Sequence, residues 1–257
     1  MPPFRWADME AAEYRKLAET EDRMWYFLAL HGHLRRAVVT EEGSDEAGEV
    51  RILDAGCGTG GWIRAMAAAW PRWKFVGVDL SPLACALARE RVGSKVEIHE
   101  ASVTALPFGE GAFDVVVSAD VLYHVDDDGA ALREFFRVLR PGGAVIINVP
   151  AYRWLWSYHD EAVHSRRRYT QTEVRAKLRA TGFVDTRTTY WNALPLPLVA
   201  VRRKLLPAPS SGSDVGLFPP TVEAVFRGAM AAERAWLEAF GALPFGSSVF
   251  AVARKPK

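Results

Sequence analysis

From residue 50 onwards, short apolar runs alternate with stretches of helical periodicity. VRILDAG (50–56) reads as a buried strand ending in glycine, and GWIRAMAAAW (61–70) as a helix stopped by Pro71. WKFVGVDL (73–80) is the next strand. SPLACALARERV (81–92) starts a helix with a Ser cap and a Pro in the first turn. KVEIHE (95–100) and FDVVVSA (113–119) read as strands three and four. DDDGAALREFFRVLR (126–140) is a helix opened by Asp126, Asp127 and Asp128, which suit the positive end of its dipole. PGG (141–143) then turns the chain into the strand AVIINVP (144–150). A helix over about 171–181, a strand over 184–190 and a final strand over 247–255 follow. Strands and helices alternating at this spacing predict a doubly wound α/β fold with a mostly parallel sheet covered on both faces.

Two regions flank this rhythm. Residues 1–39 look helical, with Trp25, Phe27, Leu28, Leu30 and Leu34 on one apolar face, and the acidic stretch 40–49 reads as a loop. Between the last two strands lies a long insertion, 191–246. It holds PLPLVAVRRKLL, a Pro/Ser/Gly-rich stretch (PAPSSGSDVG) and a helix over about 220–240. The whole reads as a single domain over 1–257: a helical cap (1–48), a core (49–150) and a substrate-side half (151–257) that carries the insertion.

Composition narrows the class without choosing a function. Of 257 residues, 49% are hydrophobic and 25% charged, as in soluble globular proteins. The net charge of +1 gives no electrostatic case for nucleic acid. Two cysteines, Cys57 and Cys85, cannot form a disulfide framework. The N-terminus lacks a basic start followed by an apolar run, so no signal peptide is read. The longest apolar stretch, NALPLPLVAV (192–201), is about half of the roughly 20 residues that a span requires. A cytoplasmic protein without stable membrane insertion is expected, its oligomeric state open.

The chemistry concentrates at strand ends. DAGCGTGG (54–61) lies between a strand and a helix, and its glycines permit close backbone approach by a ligand. Asp79 ends the next strand, where open α/β sheets place an acidic residue on ribose hydroxyls. ASVTALPF (101–108) sits where an adenine ring would lie. A dinucleotide site wants G-x-G-x-x-G to seat a pyrophosphate, whereas these glycines fall as G-x-G-x-G with Asp54 two places ahead. A carboxylate beside the loop repels pyrophosphate and attracts an ammonium, which favours S-adenosylmethionine over NAD.

ILDAGCGTG, VGVDLS, ALPF, FDVVVSADVLYHV and RVLRPGG, in this order over 51–150, resemble class I S-adenosylmethionine-dependent methyltransferases, whose fold is Rossmann-like. The resemblance implies a seven-stranded sheet with an antiparallel last strand. It implies Gly56, Gly58 and Gly60, with Cys57 between them, around the methionine moiety. Asp54 falls near the ammonium, Asp79 with Leu80 at the ribose, Ser102 and Val103 beside adenine, and Ala119 at the end of strand four. Many relatives carry Asp at the position of Ser102, and a neutral Ser there predicts weaker cofactor affinity. EDRMWYF (21–27), HDEAVHSRRRYT (159–170) and LPFGSSVFAVARK (243–255) resemble a less characterised group of these enzymes.

Methyl transfer from a sulfonium needs alignment more than a catalytic triad; positioning alone is worth about 7–11 kcal/mol. Where the acceptor must lose a proton, His124, His159 and His164 are candidate bases, and Tyr123 shares the position of His124. Packing beneath the cofactor is the alternative for His124 and Tyr123. His159, Asp160 and His164 could in principle hold a metal, but no further ligand cluster accompanies them and no metal is expected. Of Arg166, Arg167 and Arg168, Arg167 is the candidate grip on a substrate carboxylate or phosphate; a solvated patch is the alternative. Tyr14, Trp25 and Tyr26 form a candidate lid or ordinary core, and Tyr169 a pocket wall or core. The insertion, with Arg202, Arg203 and Lys204, reads as a pocket lid in preference to a membrane-surface helix. The expected reaction is methylation of a small molecule at N, O or C. A peptide, protein or lipid-linked acceptor, a non-catalytic cofactor-binding scaffold and a nicotinamide oxidoreductase are the alternatives.

Overall fold

A computed structural model describes residues 11–43, 49–207 and 214–257. The helix expected within 1–10 and parts of the two expected loops, 44–48 and 208–213, lie outside these residues. In chain order the elements are α1 (Ala11–Thr20), α2 (Trp25–Glu42), β1 (Arg51–Ala55), α3 (Gly61–Ala69), β2 (Lys74–Asp79), α4 (Pro82–Val92), β3 (Glu97–Glu100) and β4 (Phe113–Ala119). There follow α5 (Asp128–Val138), β5 (Leu139–Pro150), α6 (Tyr158–Ala162), α7 (Gln171–Thr181), β6 (Val184–Trp191), α8 (Leu196–Lys204), α9 (Pro220–Phe240) and β7 (Ser248–Arg254).

Seven strands form one sheet in the order β3-β2-β1-β4-β5-β7-β6. β7 runs antiparallel to both β5 and β6; the remaining pairs are parallel. Strand order reverses between β1 and β4, so a crevice opens at their carboxyl ends, where α/β sheets bind ligands. One face of the sheet packs on Leu132, Phe135, Val174 and Leu178 of α5 and α7. The other packs on Leu34, Ile63, Cys85 and Met230 of α2, α3, α4 and α9. Burial on both faces explains why β1, β4 and β5 read as unbroken apolar runs rather than alternating ones.

The caps act as the residue types foretell. Ser81 Oγ accepts from Ala84 N–H at 3.3 Å, and Asp127 Oδ1 accepts from Ala130 N–H at 2.8 Å. Thr170 and Glu173 form a capping box that starts α7.

Three expectations need correcting. The helical stretch breaks at residues 21–24 into α1 and α2, and the Glu21 side chain at this corner binds the glycine turn (below). Along α2, Trp25, Leu30 and Leu34 are buried while Phe27 is half-buried and Leu28 exposed; the helix also continues to Glu42, into the stretch read as a loop. Third, PGG is not a turn ahead of the fifth strand but part of it. Leu139 already pairs with Phe113, and Gly142, at a φ of 80°, absorbs a bulge before the ladder resumes at Val115 and Ala144.

Candidate active site

The crevice at the β1–β4 switch point is a cavity of about 870 Å³ running from Tyr14 to Phe218. Its first half is built by the glycine turn. Gly56 and Cys57 donate to Val78 O at 2.7 and 2.9 Å, tying the turn to β2. Gly58, at a φ of 52°, donates to Asp79 Oδ2 at 3.0 Å, while Ser81 N–H donates to Asp79 Oδ1 at 2.9 Å. Each Asp79 oxygen thus takes one backbone N–H and keeps lone-pair capacity, and the carboxylate lines the cavity. Asp54, on β1, is buried and lines the same half, and no cation among the described residues pairs with it. Its carboxyl is pushed up to about 8, first by burial and then by the charges of Asp79 and Glu21.

Tyr14, Gly56, Cys57, Leu80, Val103 and Ala119 complete the walls. Ser102 also lines the cavity, but its hydroxyl contacts that of Thr104 at 2.7 Å and accepts Thr104 N–H at 3.2 Å, closing a local turn. Gly60 stands apart from the cavity. At a φ of 78° it starts α3, with Ala88 and Val92 of α4 against the space a side chain would take. Glu21, which the sequence reading left unassigned, accepts from Thr59 Oγ1 and Arg91. It fastens the α1–α2 corner over the glycine turn.

The second half of the cavity begins at Asp120, also unassigned from sequence. It follows β4 in the left-handed region, with a φ of 58°. Its Oδ2 accepts Tyr26 O–H at 2.8 Å and its Oδ1 accepts Asn148 Nδ2–H at 2.9 Å. Trp191 Nε1–H donates to Asn148 Oδ1 at 2.7 Å, so this group is rigidly held. Burial raises the Asp120 carboxyl to about 6, against the lowering effect of the Tyr26 and Asn148 hydrogen bonds. Trp25 stacks on Phe226 with centroids 4.7 Å apart, and its backbone N–H donates to Glu223 Oε2 at 2.9 Å. Both Trp25 and Tyr26 line the cavity. Asn192 Oδ1, on the same wall, is buried and has no hydrogen-bond partner among the described residues.

The three candidate histidines and Tyr123 converge on this half. Burial pushes His124 and His159 down to about 4, so both are neutral near pH 7. His159 Nδ1 accepts the Asp214 N–H at 3.1 Å. That assigns the ring proton to Nε2, which makes His159 a donor here rather than a base. Burial and the nearby charge of Asp120 push the Tyr123 hydroxyl well up, so it too stays protonated.

The arginine run fans out as adjacent residues must. Arg166 pairs with Asp126 at 3.2 Å. Arg167 is turned away from the cavity, donating to Val125 O and Asp126 O at 3.1 and 2.7 Å. Arg168 is the member that faces the cavity, in a buried two-pronged pair with Asp160 at 2.6 and 3.0 Å. Tyr169 is core: its hydroxyl donates to Asp128 Oδ2 at 2.8 Å beneath Leu122. Arg167 and Tyr169 are therefore not cavity residues, because both serve the start of α5. Among the described residues no cluster could hold a metal ion.

The insertion roofs the cavity through Leu198, Val199, Arg202 and Arg203 of α8, Phe218, and Phe226 of α9. Two buried glutamates of α9 hold the roof in place. Glu223 accepts the N–H groups of Trp25 and Phe218. Glu233 accepts those of Asn192, Ala193 and Leu194.

Residues 52–143 match the family model of a methyltransferase domain. Over these residues the chain carries a methyltransferase domain. The demethylmenaquinone methyltransferase of Lactococcus lactis subsp. lactis is 33% identical over 139 residues, covering 52% of this chain and 55% of that protein. Phosphoethanolamine N-methyltransferase 1 of Triticum aestivum is 38% identical over 101 residues, covering 38% of this chain and 20% of that protein. The chain thus spans about half or less of these curated relatives. Among solved structures, the putative methyltransferase of Haloferax volcanii, in complex with the Trm112 methyltransferase activator, shares the fold at a TM-score of 0.61. It is 20% identical, with 97% of this chain and 96% of that one covered. The matched domain ends before the insertion, so the roof lies outside the family model.

The residues of this methyltransferase domain fit the cofactor chemically. Asp54 is a buried carboxylate with no described cation beside it, suited to an ammonium. Asp79 keeps acceptor capacity on both oxygens, suited to a vicinal diol.

Proposed function

We propose that this chain is an S-adenosylmethionine-dependent methyltransferase acting on a small molecule held between Asp120 and the α8–α9 roof. The observation that carries this reading is a single cavity with the Asp54–Gly58–Asp79 cradle at one end and Asp120 at the other. The bound cofactor supplies an electrophilic methyl on a good leaving group. Asp54 takes the ammonium, Asp79 the ribose hydroxyls, and Val103 with Ser102 the adenine edge.

The general base in this reading is Asp120, not a histidine. Its carboxyl titrates at about 6, so it is ionised at neutral pH yet close enough to accept a proton effectively. Tyr26 and Asn148 orient it. His159, through Nε2–H, and Asn192, through Oδ1, offer one donor and one acceptor to orient the substrate. Relatives named for demethylmenaquinone and for phosphoethanolamine support a small-molecule acceptor without choosing its atom. A cytoplasmic location and one catalytic domain over 1–257 belong to the same reading.

The test is transfer of a labelled methyl group to a panel of phenols, alcohols and amines. Asp120→Asn should slow turnover on an active hydroxyl acceptor by about 10²–10⁴-fold, the usual share of a general base. Unchanged turnover would remove Asp120 from that role.

A further inference from the structure

The helix α8 is apolar and yet buries nothing: none of the residues Leu196–Lys204 is buried. Leu198 and Val201 are 62% and 45% exposed, and Leu205, just beyond the helix, is 75% exposed. Trp154, in the short turn Arg153–Leu155 that contacts α8, is 53% exposed, and Phe218 is 44% exposed. Exposed apolar side chains clustered in this way mark an interaction surface.

The charge around the cluster is one-sided. Arg153, Arg202, Arg203 and Lys204 surround it, and between residues 193 and 222 the only acidic residue is Asp214. Asp214 is itself paired with Arg203 at 3.0 Å. Arg202 donates to Pro207 O and Lys204 to Trp156 O, which keeps both cations at the edge of the apolar surface rather than over it. Aliphatic and aromatic side chains ringed by cations, with little opposing charge, have the chemistry of an interfacial helix. A second copy of this chain on the same face would set the cations against one another.

We propose that this face docks on an anionic lipid bilayer, with α8 lying in the interface and Arg153, Arg202 and Lys204 at headgroup level. Leu198, Val199, Arg202 and Phe218 also line the cavity, so on docking its mouth opens toward lipid. On the methyltransferase reading above, the acceptor is then an amphipathic molecule that reaches the site from the bilayer. Docking itself does not depend on that reading.

The experiment is flotation of the full chain with phosphatidylcholine vesicles, alone or mixed with phosphatidylglycerol. The chain should float with the mixed vesicles, and high salt should weaken this. Two variants avoid every cavity residue. Val201→Ser/Leu205→Ser should cut the bound fraction by about tenfold or more, since a buried aliphatic side chain is worth at least that in partitioning. Arg153→Glu/Lys204→Glu should remove the preference for phosphatidylglycerol. Unchanged thermal melting of both variants separates lost docking from lost folding. Failure of the wild-type chain to float with either vesicle overturns the proposal, as does equal flotation of the serine variant. A dimer that the serine variant dissolves, without flotation of the wild-type chain, overturns it in favour of self-association.

Discussion

Asp54 sits in an environment that opposes its charge, and a cation arriving beside it should reverse the balance. With the carboxyl raised to about 8 by burial and by Asp79 and Glu21, the group is mostly protonated at pH 7. Binding of an ammonium selects the ionised form, so the cofactor binds only the ionised fraction well. From that pKa, the fraction is about 1% at pH 6 and about one half at pH 8, a roughly 50-fold rise in affinity over this window. Near pH 7, about 0.9 of a proton should leave the protein for each cofactor bound. Calorimetry with S-adenosylhomocysteine in buffers of different ionisation enthalpy reads both quantities. Any titration of the ligand's own amino group is common to the wild-type chain and a variant. The comparison with Asp54→Asn therefore isolates the residue: weaker binding, a flattened pH dependence and loss of most of the proton release are expected. The same pH slope and proton count in the variant would refute the assignment of Asp54 to the ammonium.

The arrangement predicts further outcomes. At saturating cofactor the pH–rate profile should show a rising limb near 6 from Asp120, because the base must be ionised; the limb should persist in His124→Ala and His159→Ala, with both histidines pushed down to about 4 in the wild-type chain, and vanish in Asp120→Asn. Arg168→Ala leaves Asp160 charged and buried, so urea unfolding should show a loss of about 3–5 kcal/mol. Arg168→Lys should recover little of it, because a single ammonium cannot reproduce the two-pronged pair. Glu233→Ala strips the acceptor from three backbone N–H groups ahead of α8. It should cost at least about 1 kcal/mol and speed hydrogen exchange at residues 192–194.

The core of the fold was legible because its signals are local. Buried parallel strands must be apolar throughout, glycine must sit where the β1–α3 turn takes positive φ, and Ser81 and Asp127 cap the helices they precede. That Asp54 and Asp79 line the cavity was legible for the same reason: each sits at a fixed place beside a strand end. Asp120 carries a comparable signal, as an acidic residue directly after an apolar strand, but nothing in the sequence shows that Tyr26 and Asn148 hold it. Burial and hydrogen bonding, neither of which sequence displays, are what favour Asp120 over His124 and His159 as the base: Nδ1 of His159 meets a backbone N–H 55 residues away. Arg167 and Tyr169 were misplaced because the direction of a side chain in an irregular segment depends on what it folds against, here Asp128 and the carbonyls before α5. The N-terminal helices and the α9 glutamates depend on contacts far apart in sequence, such as Glu223 with Trp25, 198 residues apart.

The central claim is that the Asp79 end of the cavity holds the adenosyl cofactor. It is tested most directly by calorimetric titration of S-adenosylhomocysteine into the wild-type chain and into Asp79→Ala, with thermal melting to confirm that the variant folds. Hydrogen bonds to a charged group are worth about 1.5–3 kcal/mol, so the variant should bind about ten- to a hundredfold more weakly. Equal affinity in the two proteins, or no binding by the wild-type chain, would contradict the account.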